Sequence, residues 1–280
     1  MPSEKQPYEA IFHPSDFSEA SETAFCHALK LALAARCSLT LLHATDQTHA
    51  DWHEFPGVRT TLERWKLIGP GSPRRAIFEL GVDVRKVMSP HANPVDAALH
   101  YLERHCTDLV VLATHSHEGR MSWLHHSIAE PIARGSHAPT LFIPHGKHGF
   151  VSREDGAVTL RNILIPVAAG ASPAGAIRFA ARIVEALDLP AGAFHILHVG
   201  EPEGMPSFEM PKVGDWTCER IARRGPIVDT IVDTAKSVNP DLIVMRTEGH
   251  LDFLDVLRGN TTERVLHHSP CPLLAIPVAE

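Results

Sequence analysis

Residues 107–144 and 240–277 are two copies of one segment, and this repeat restricts the fold more than any other feature of the chain. The first copy reads TDLVVLATHSHEGRMSWLHHSIAEPIARGSHAPTLFIP, the second PDLIVMRTEGHLDFLDVLRGNTTERVLHHSPCPLLAIP. Asp108 matches Asp241, His126 matches Gly259, Glu130 matches Glu263 and Pro144 matches Pro277. Each pair is 133 positions apart, so the copies align without a gap. Self-similarity over a whole supersecondary unit means two copies of one domain. Each copy reads as an apolar strand, a polar loop, a helix and a second apolar strand, and the loop is where chemistry is expected.

Upstream of each copy the same order of elements recurs. Apolar runs at 8–14, 39–44, 82–88, 109–113 and 140–143 read as strands. Between them, residues spaced at helical periods give helices over 20–35, 58–68, 74–80, 93–105 and up to Arg134. Asn93-Pro94 opens one helix, with proline in the first turn where its missing N–H costs little. The polar, Gly-rich stretch after Pro144 reads as a linker, and the pattern restarts with strands at 162–167, 193–199, 216–223 and 242–245. Alternating strands and helices, the strands apolar on both faces, predict a parallel sheet covered by helices. Domain 1 is expected over residues 1–146, the linker over 147–160 and domain 2 over 161–280.

The second domain is shorter. Pro14 matches Pro166 at an offset of 152, which has dropped to 133 by the fourth strand, so 19 residues are missing. The shortfall falls between the second and third strands, where residues 200–214 are rich in proline and glycine. Domain 2 is therefore expected to lack its second helix or to keep a stub, and to need cover on that face from the linker or from domain 1.

Composition excludes several classes. A net charge of −7 gives no basic field for nucleic acid. No apolar run approaches the roughly 20 residues of a membrane span. The start, MPSEKQPYEAIF, lacks the layout of a secretory signal. Five scattered cysteines without metal-ligand spacing read as reduced, buried thiols, and a cytoplasmic location is expected. No nucleophile elbow, Walker loop or HExxH occurs, so no catalytic residue is assigned.

The pieces IFHPSDFSEAS, LTLLHAT, DLVVLATHSHEG and HSIAEPIARGSHAPTLFIP resemble the universal stress protein family. NILIPV, DLIVMRTEG and GNTTERVLHHSPCPLLAIP resemble it a second time. The resemblance implies α/β architecture: two tandem open five-stranded parallel sheets of the adenine nucleotide alpha hydrolase-like kind. It also implies that the two copies pair through their last strands about a pseudo-two-fold, as the family's dimers do. Nucleotide-binding members carry an Asp after the first strand and the pattern G-x2-G-x9-G-[ST] after the fourth. Glycines there let backbone N–H groups approach phosphates.

Both copies depart from that pattern, in complementary ways. The first keeps the acid as Asp16, but its loop reads Ala113, Ser116, His126 and Ser127 at the pattern positions. The second reads Arg246, Gly249, Gly259 and Asn260, followed by Thr261, and has Ala168 in place of the acid. Asp16 either contacts a ribose or caps the first helix, with Ser18 as a second candidate cap. Gly249 and Gly259 either cradle phosphate or serve tight turns, with Asn260, Thr261 and Ser127 as donors. Arg246 either fills the phosphate space or pairs with an anion. Of the 20 histidines, His115, His117, His125 and His126 are the ones a metal would use. Only Glu118 stands near them at a useful spacing, and no metal is expected.

These departures lead to a non-catalytic cytoplasmic stress-response or regulatory protein, of the bacterial type, with partly degenerate nucleotide sites. The alternative is a module binding ATP or AMP, with Mg²⁺, on the glycine loop of the second copy, with slow hydrolysis. A small-ligand or metal binder is the third reading. Protein partners or a homo-oligomer are open, and neither nucleic acid nor membrane is an expected partner.

Overall fold

A computed structural model describes residues 8–45, 57–91, 93–114, 128–147, 149–247 and 261–277. The calls for Gly249, Gly259, Asn260, Ser127, His115, His117, His125 and His126 lie outside them. The chain divides into two compact units. Unit 1 comprises Met1–His145 with Val151–Val158, and unit 2 comprises Gly146–Phe150 with Thr159–Glu280.

Unit 1 runs β1 (Ala10–Pro14), α1 (Glu19–Ala35), β2 (Ser38–Ala44), α2 (Val58–Arg64), α3 (Arg74–Glu79), β3 (Asp83–Ser89), α4 (Pro94–Leu102), β4 (Leu109–Thr114), α5 (Ala129–Ser136) and β5 (Thr140–Pro144). Its strands lie in the order β3-β2-β1-β4-β5, every pair parallel. Helix α1 starts where Ser18 accepts a hydrogen bond from the Ser21 N–H, with Glu19 and Glu22 in the first turn favoured by the helix dipole. It stops at Arg36, which turns left-handed. Asn93 caps α4 through the Val95 N–H, with Pro94 in the first turn. Helix α2 ends at Arg64, short of the 58–68 that periodicity suggests, because Lys66 takes a positive φ of 58° ahead of the Gly-Pro turn.

Unit 2 runs β6 (Asn162–Val167), α6 (Ala174–Ala186), β7 (Ala191–Val199), β8 (Asp215–Arg223), α7 (Ile227–Val238), β9 (Leu242–Thr247), α8 (Thr261–His268) and β10 (Leu273–Pro277). Its order, β10-β9-β6-β7-β8, is that of unit 1, again all parallel. The repeated aspartates explain part of this identity. Asp108 Oδ2 accepts the N–H groups of Glu9 and Ala10, at 2.8 and 2.9 Å. Asp241 Oδ2 accepts those of Arg161 and Asn162, at 2.7 and 2.8 Å. Each carboxylate thus anchors the start of its unit's first strand beside the fourth.

Between β7 and β8 the chain makes a single 3-10 turn, Pro202–Gly204, where unit 1 has α2 and α3. Phe194 and Ile196 on this side of β7 are nonetheless buried. Within unit 2 the Trp216 ring lies 4.8 Å from that of Phe194, its Nε1–H held by the Leu189 carbonyl. Phe208 takes the Arg220 guanidinium over its face at 4.5 Å. Gly192 permits the Trp216 placement, since a Cβ there would sit 2.6 Å from the indole. The Val151–Val158 part of the linker belongs to unit 1. Of the cysteines, Cys26, Cys37 and Cys271 are buried as expected, whereas Cys106 and Cys218 are exposed. Cys106 lies beyond the end of α4, in a polar turn, and is not core.

Candidate functional site

In each sheet the strand order reverses direction between the first and fourth strands, β1 and β4 in unit 1, β6 and β9 in unit 2. Ligands of open parallel sheets bind beyond the carboxyl ends of strands at such a switch point. Asp16 and Arg246 both stand there, one in each unit.

In unit 1 the residues after β1 are committed to one another. Asp16 Oδ1 accepts the Ser18 N–H at 3.0 Å and the Ser18 hydroxyl at 2.7 Å, while Ser18 itself caps α1. The acid therefore braces the cap residue rather than being the cap. Phe17 holds a left-handed φ of 63°, unusual for a bulky side chain. Its ring stacks on His43, with centroids 4.0 Å apart and 22° between planes. His43 is fixed in turn by donating Nδ1–H to the Ser15 carbonyl at 2.8 Å.

Beneath them runs a buried polar chain. His13 donates Nδ1–H to the Val111 carbonyl at 2.9 Å, which leaves Nε2 as an acceptor facing the Ser21 hydroxyl at 3.5 Å. The Ser21 and Ser15 hydroxyls are 2.9 Å apart, and Ser15 Oγ also accepts the Phe17 N–H at 3.3 Å. Burial pulls the His13 pKa down to about 4, so the imidazole is neutral and its tautomer is set by the Val111 carbonyl.

Unit 2 repeats the histidine but not the ring above it. His198, buried at the end of β7, donates Nδ1–H to the Val167 carbonyl at 3.2 Å. By strand register His198 follows Leu197, which pairs with Pro166, as His43 follows Leu42, which pairs with Pro14. The loop after β6 is Ala168-Ala169-Gly170-Ala171-Ser172-Pro173 and carries no aromatic side chain. Gly200 and Gly204 pass close to His198, where a Cβ would come within 2.7 and 3.0 Å of Nε2. Arg246, at the end of β9, donates from its guanidinium to the Ser172 carbonyl at 2.6 Å, spanning from the fourth strand to the loop after the first. Thr261 is the first residue of α8 and half-buried. The repeated helical acids have local partners: Glu130 pairs with Arg134, and the buried Glu263 lies 3.9 Å from His267.

The sequence reading missed the His43 and His198 pair. The signal was present as LLHAT at 41–45 and ILHVG at 196–200, each closing a second strand. Phe17 carries no such signal, because a ring after Asp16 reads as an ordinary turn residue. Among the described residues no group of three or more His, Cys, Asp or Glu side chains is placed to hold a metal.

The sequence profile of the universal stress protein family matches residues 7–144 and 214–277. Universal stress protein Sll1654 from Synechocystis sp. is 42% identical over 57 residues, 20% of this chain and 36% of that protein. The chain thus matches only about a third of that relative's length. The crystal structure of a universal stress protein from Archaeoglobus fulgidus DSM 4304 superposes with a TM-score of 0.61 at 18% identity, covering 98% of each chain. A protein of unknown function from Pseudomonas aeruginosa PAO1 gives 0.60 at 14% identity, over 97% of this chain and 93% of that one. At such identities the structural likeness carries the fold alone.

Proposed function

The chain belongs to the universal stress protein family, and from that we propose a non-catalytic stress-response protein whose first nucleotide site has been taken over by its own side chains. The observation that supports this reading is the Phe17–His43 stack beside Asp16. The acid that resemblance assigns to a ribose is engaged by the Ser18 N–H and hydroxyl, and a protein ring covers the histidine at the end of β2. On this reading the protein acts through its surfaces on protein partners. The last strand of each unit, TLFIP and LLAIP, is apolar at the sheet edge, and we take the two units to pair there. Domains at residues 1–146 and 161–280, joined by 147–160, remain our division of the sequence. Its cysteines are all unpaired, which fits a reducing compartment, and we place the protein in the cytoplasm. No helix among the described residues is long and apolar enough to cross a membrane.

A second reading is favoured by one difference between the units. The loop 168–173 carries no ring of its own, whereas in unit 1 Phe17 lies on His43. Adenine of ATP or AMP would lie at the switch point of unit 2, with Gly249, Gly259, Asn260 and Thr261 toward the phosphates and Mg²⁺ as counterion. Arg246 would release the Ser172 carbonyl to pair with phosphate. Phosphate release from millimolar ATP and Mg²⁺ tests the first reading: a rate no different from buffer is expected, and turnover abolished by Gly259→Arg would contradict it. Calorimetric heat with ATP but no turnover would establish the second reading beside the first.

A further inference from the structure

The Val151–Val158 segment is built as a small closed arch. Val151 and Val158 bridge antiparallel, Ser152 N–H donates to the Ala157 carbonyl at 2.9 Å and Gly156 N–H to the Ser152 carbonyl at 3.1 Å. The Ser152 hydroxyl accepts the Glu154 and Asp155 N–H groups, and Asp155 Oδ1 accepts that of Ala157 at 3.0 Å. The arch thus holds its own shape. It packs with unit 1, although the residues on both sides of it, Gly146–Phe150 and those from Thr159 onward, pack with unit 2.

Five contacts fasten the arch to α1 and α2. Arg153 reaches Glu19 at 3.0 Å and Glu22 at 2.6 Å, one turn of α1 apart. Trp65, just past α2, donates Nε1–H to the Arg153 carbonyl at 3.1 Å. Its ring lies flat against Gly156, where a Cβ would be 2.5 Å from the indole. The Val151 N–H donates to His27 Nε2 at 3.2 Å, while His27 Nδ1–H is held by the Thr23 carbonyl. Two of the five are ion pairs of half-exposed groups, which are worth little against solvent. The apolar anchoring is the buried Val151 and the Trp65 indole on Gly156. Such a segment opens at lower cost than the paired strands of unit 1.

Under this fastening sits Cys26, on α1 next to His27 and fully buried. Burial pushes its thiol up to about 12, against the opposing pull of Arg64 and Arg153. The Arg153 Nε–H is buried there without a hydrogen-bond partner. We propose that Val151–Val158 is a releasable strap whose detachment from α1 and α2 uncovers Cys26 beside Arg64, turning an inert thiol into an accessible one. Burial is the largest cause of the thiol's inertness, so lifting the strap removes that cause and leaves the Arg64 cation in place.

The test uses the full chain carrying Cys106→Ser and Cys218→Ser, which removes the two exposed thiols. Labelling by N-ethylmaleimide is followed at Cys26, Cys37 and Cys271 by peptide mass spectrometry. Arg153→Ala and Gly156→Val, the second forced against Trp65 and at a positive φ of 69°, loosen the strap by independent routes. Each is expected to speed labelling of Cys26 at least tenfold and leave Cys37 and Cys271 unchanged. An unchanged Cys26 rate, or a common acceleration of all three thiols, overturns the proposal. Hydrogen exchange on the unsubstituted protein is a second arm: amides of Val151, Ala157 and Gly156 should exchange faster than those of β1. Exchange in step with β1 counts equally against a releasable strap.

Discussion

Phe17 lies face to face on His43, 4.0 Å between ring centroids, at the carboxyl end of the sheet in unit 1. The stack is held at a backbone φ of 63° that costs a non-glycine residue about 1–2 kcal/mol. Two substitutions separate these effects. Phe17→Ala loses the stack, about 0.5–1.5 kcal/mol beyond its buried area, and keeps the strain. Phe17→Gly loses the stack and relieves the strain. In urea unfolding, Phe17→Gly should exceed Phe17→Ala in stability by about 1 kcal/mol. Equal stabilities would mean that the backbone relaxes once the ring is gone.

His13 and His27 make unit 1 sensitive to acid. Burial lowers both to about 4, from an ordinary value of 6.5. In the folded protein they stay neutral, while the unfolded chain takes up protons once pH falls below 6.5, so the unfolded state binds more protons across that interval. Their contribution to stability is therefore full above pH 6.5, declines as pH drops toward 4 and is gone below it. At about 1.4 kcal/mol per pH unit, each histidine contributes roughly 3 kcal/mol. Urea midpoints at several pH values check the slope, and His27→Gln should flatten its share.

The twin aspartates predict a matched pair of local losses. Asp108→Ala releases the Glu9 and Ala10 N–H groups, and Asp241→Ala those of Arg161 and Asn162. Hydrogen bonds to a charged group contribute about 1.5–3 kcal/mol. The first variant should lower the stability of unit 1 by about 2 kcal/mol and the second that of unit 2, followed by protease susceptibility mapped to each unit. The Asn variants, which keep one oxygen as acceptor, should lose less.

Gly192→Ala addresses the face left without a helix. The new Cβ would meet the Arg161 carbonyl at 2.5 Å and the Trp216 indole at 2.6 Å. Displacing the indole breaks its bond to the Leu189 carbonyl. Overpacking of this kind costs about 1–3 kcal/mol. A red shift in tryptophan emission with a lower urea midpoint is the expected result.

The architecture was legible because it rests on periodicity and on a gapless repeat. Alternating strand and helix patterns gave the parallel α/β class, and Asp108 and Asp241 marked equivalent positions whose role, anchoring β1 and β6, needed coordinates. The extent of α2 was not legible, since the positive φ at Lys66 leaves no mark in residue type. Nor was the strap. A polar, Gly-rich run such as 145–160 reads as linker, and its attachment depends on Trp65, Glu19, Glu22 and His27, all remote in sequence. Of the candidate site residues, Asp16 and Arg246 are marked by pattern alone. Their hydrogen bonds to Ser18 and Ser172 are not, because one side chain competes locally for a helix cap and the other reaches across the crevice.

The central claim is that unit 1 has filled its own site, so that any nucleotide binding belongs to unit 2. Calorimetric titration of the intact chain with ATP and Mg²⁺ tests it most directly, with Asp16→Ala and Gly259→Arg as companions. The account predicts at most one site per chain, unaffected by Asp16→Ala and removed by Gly259→Arg. Two sites per chain, or loss of binding in Asp16→Ala with Gly259→Arg intact, would contradict it.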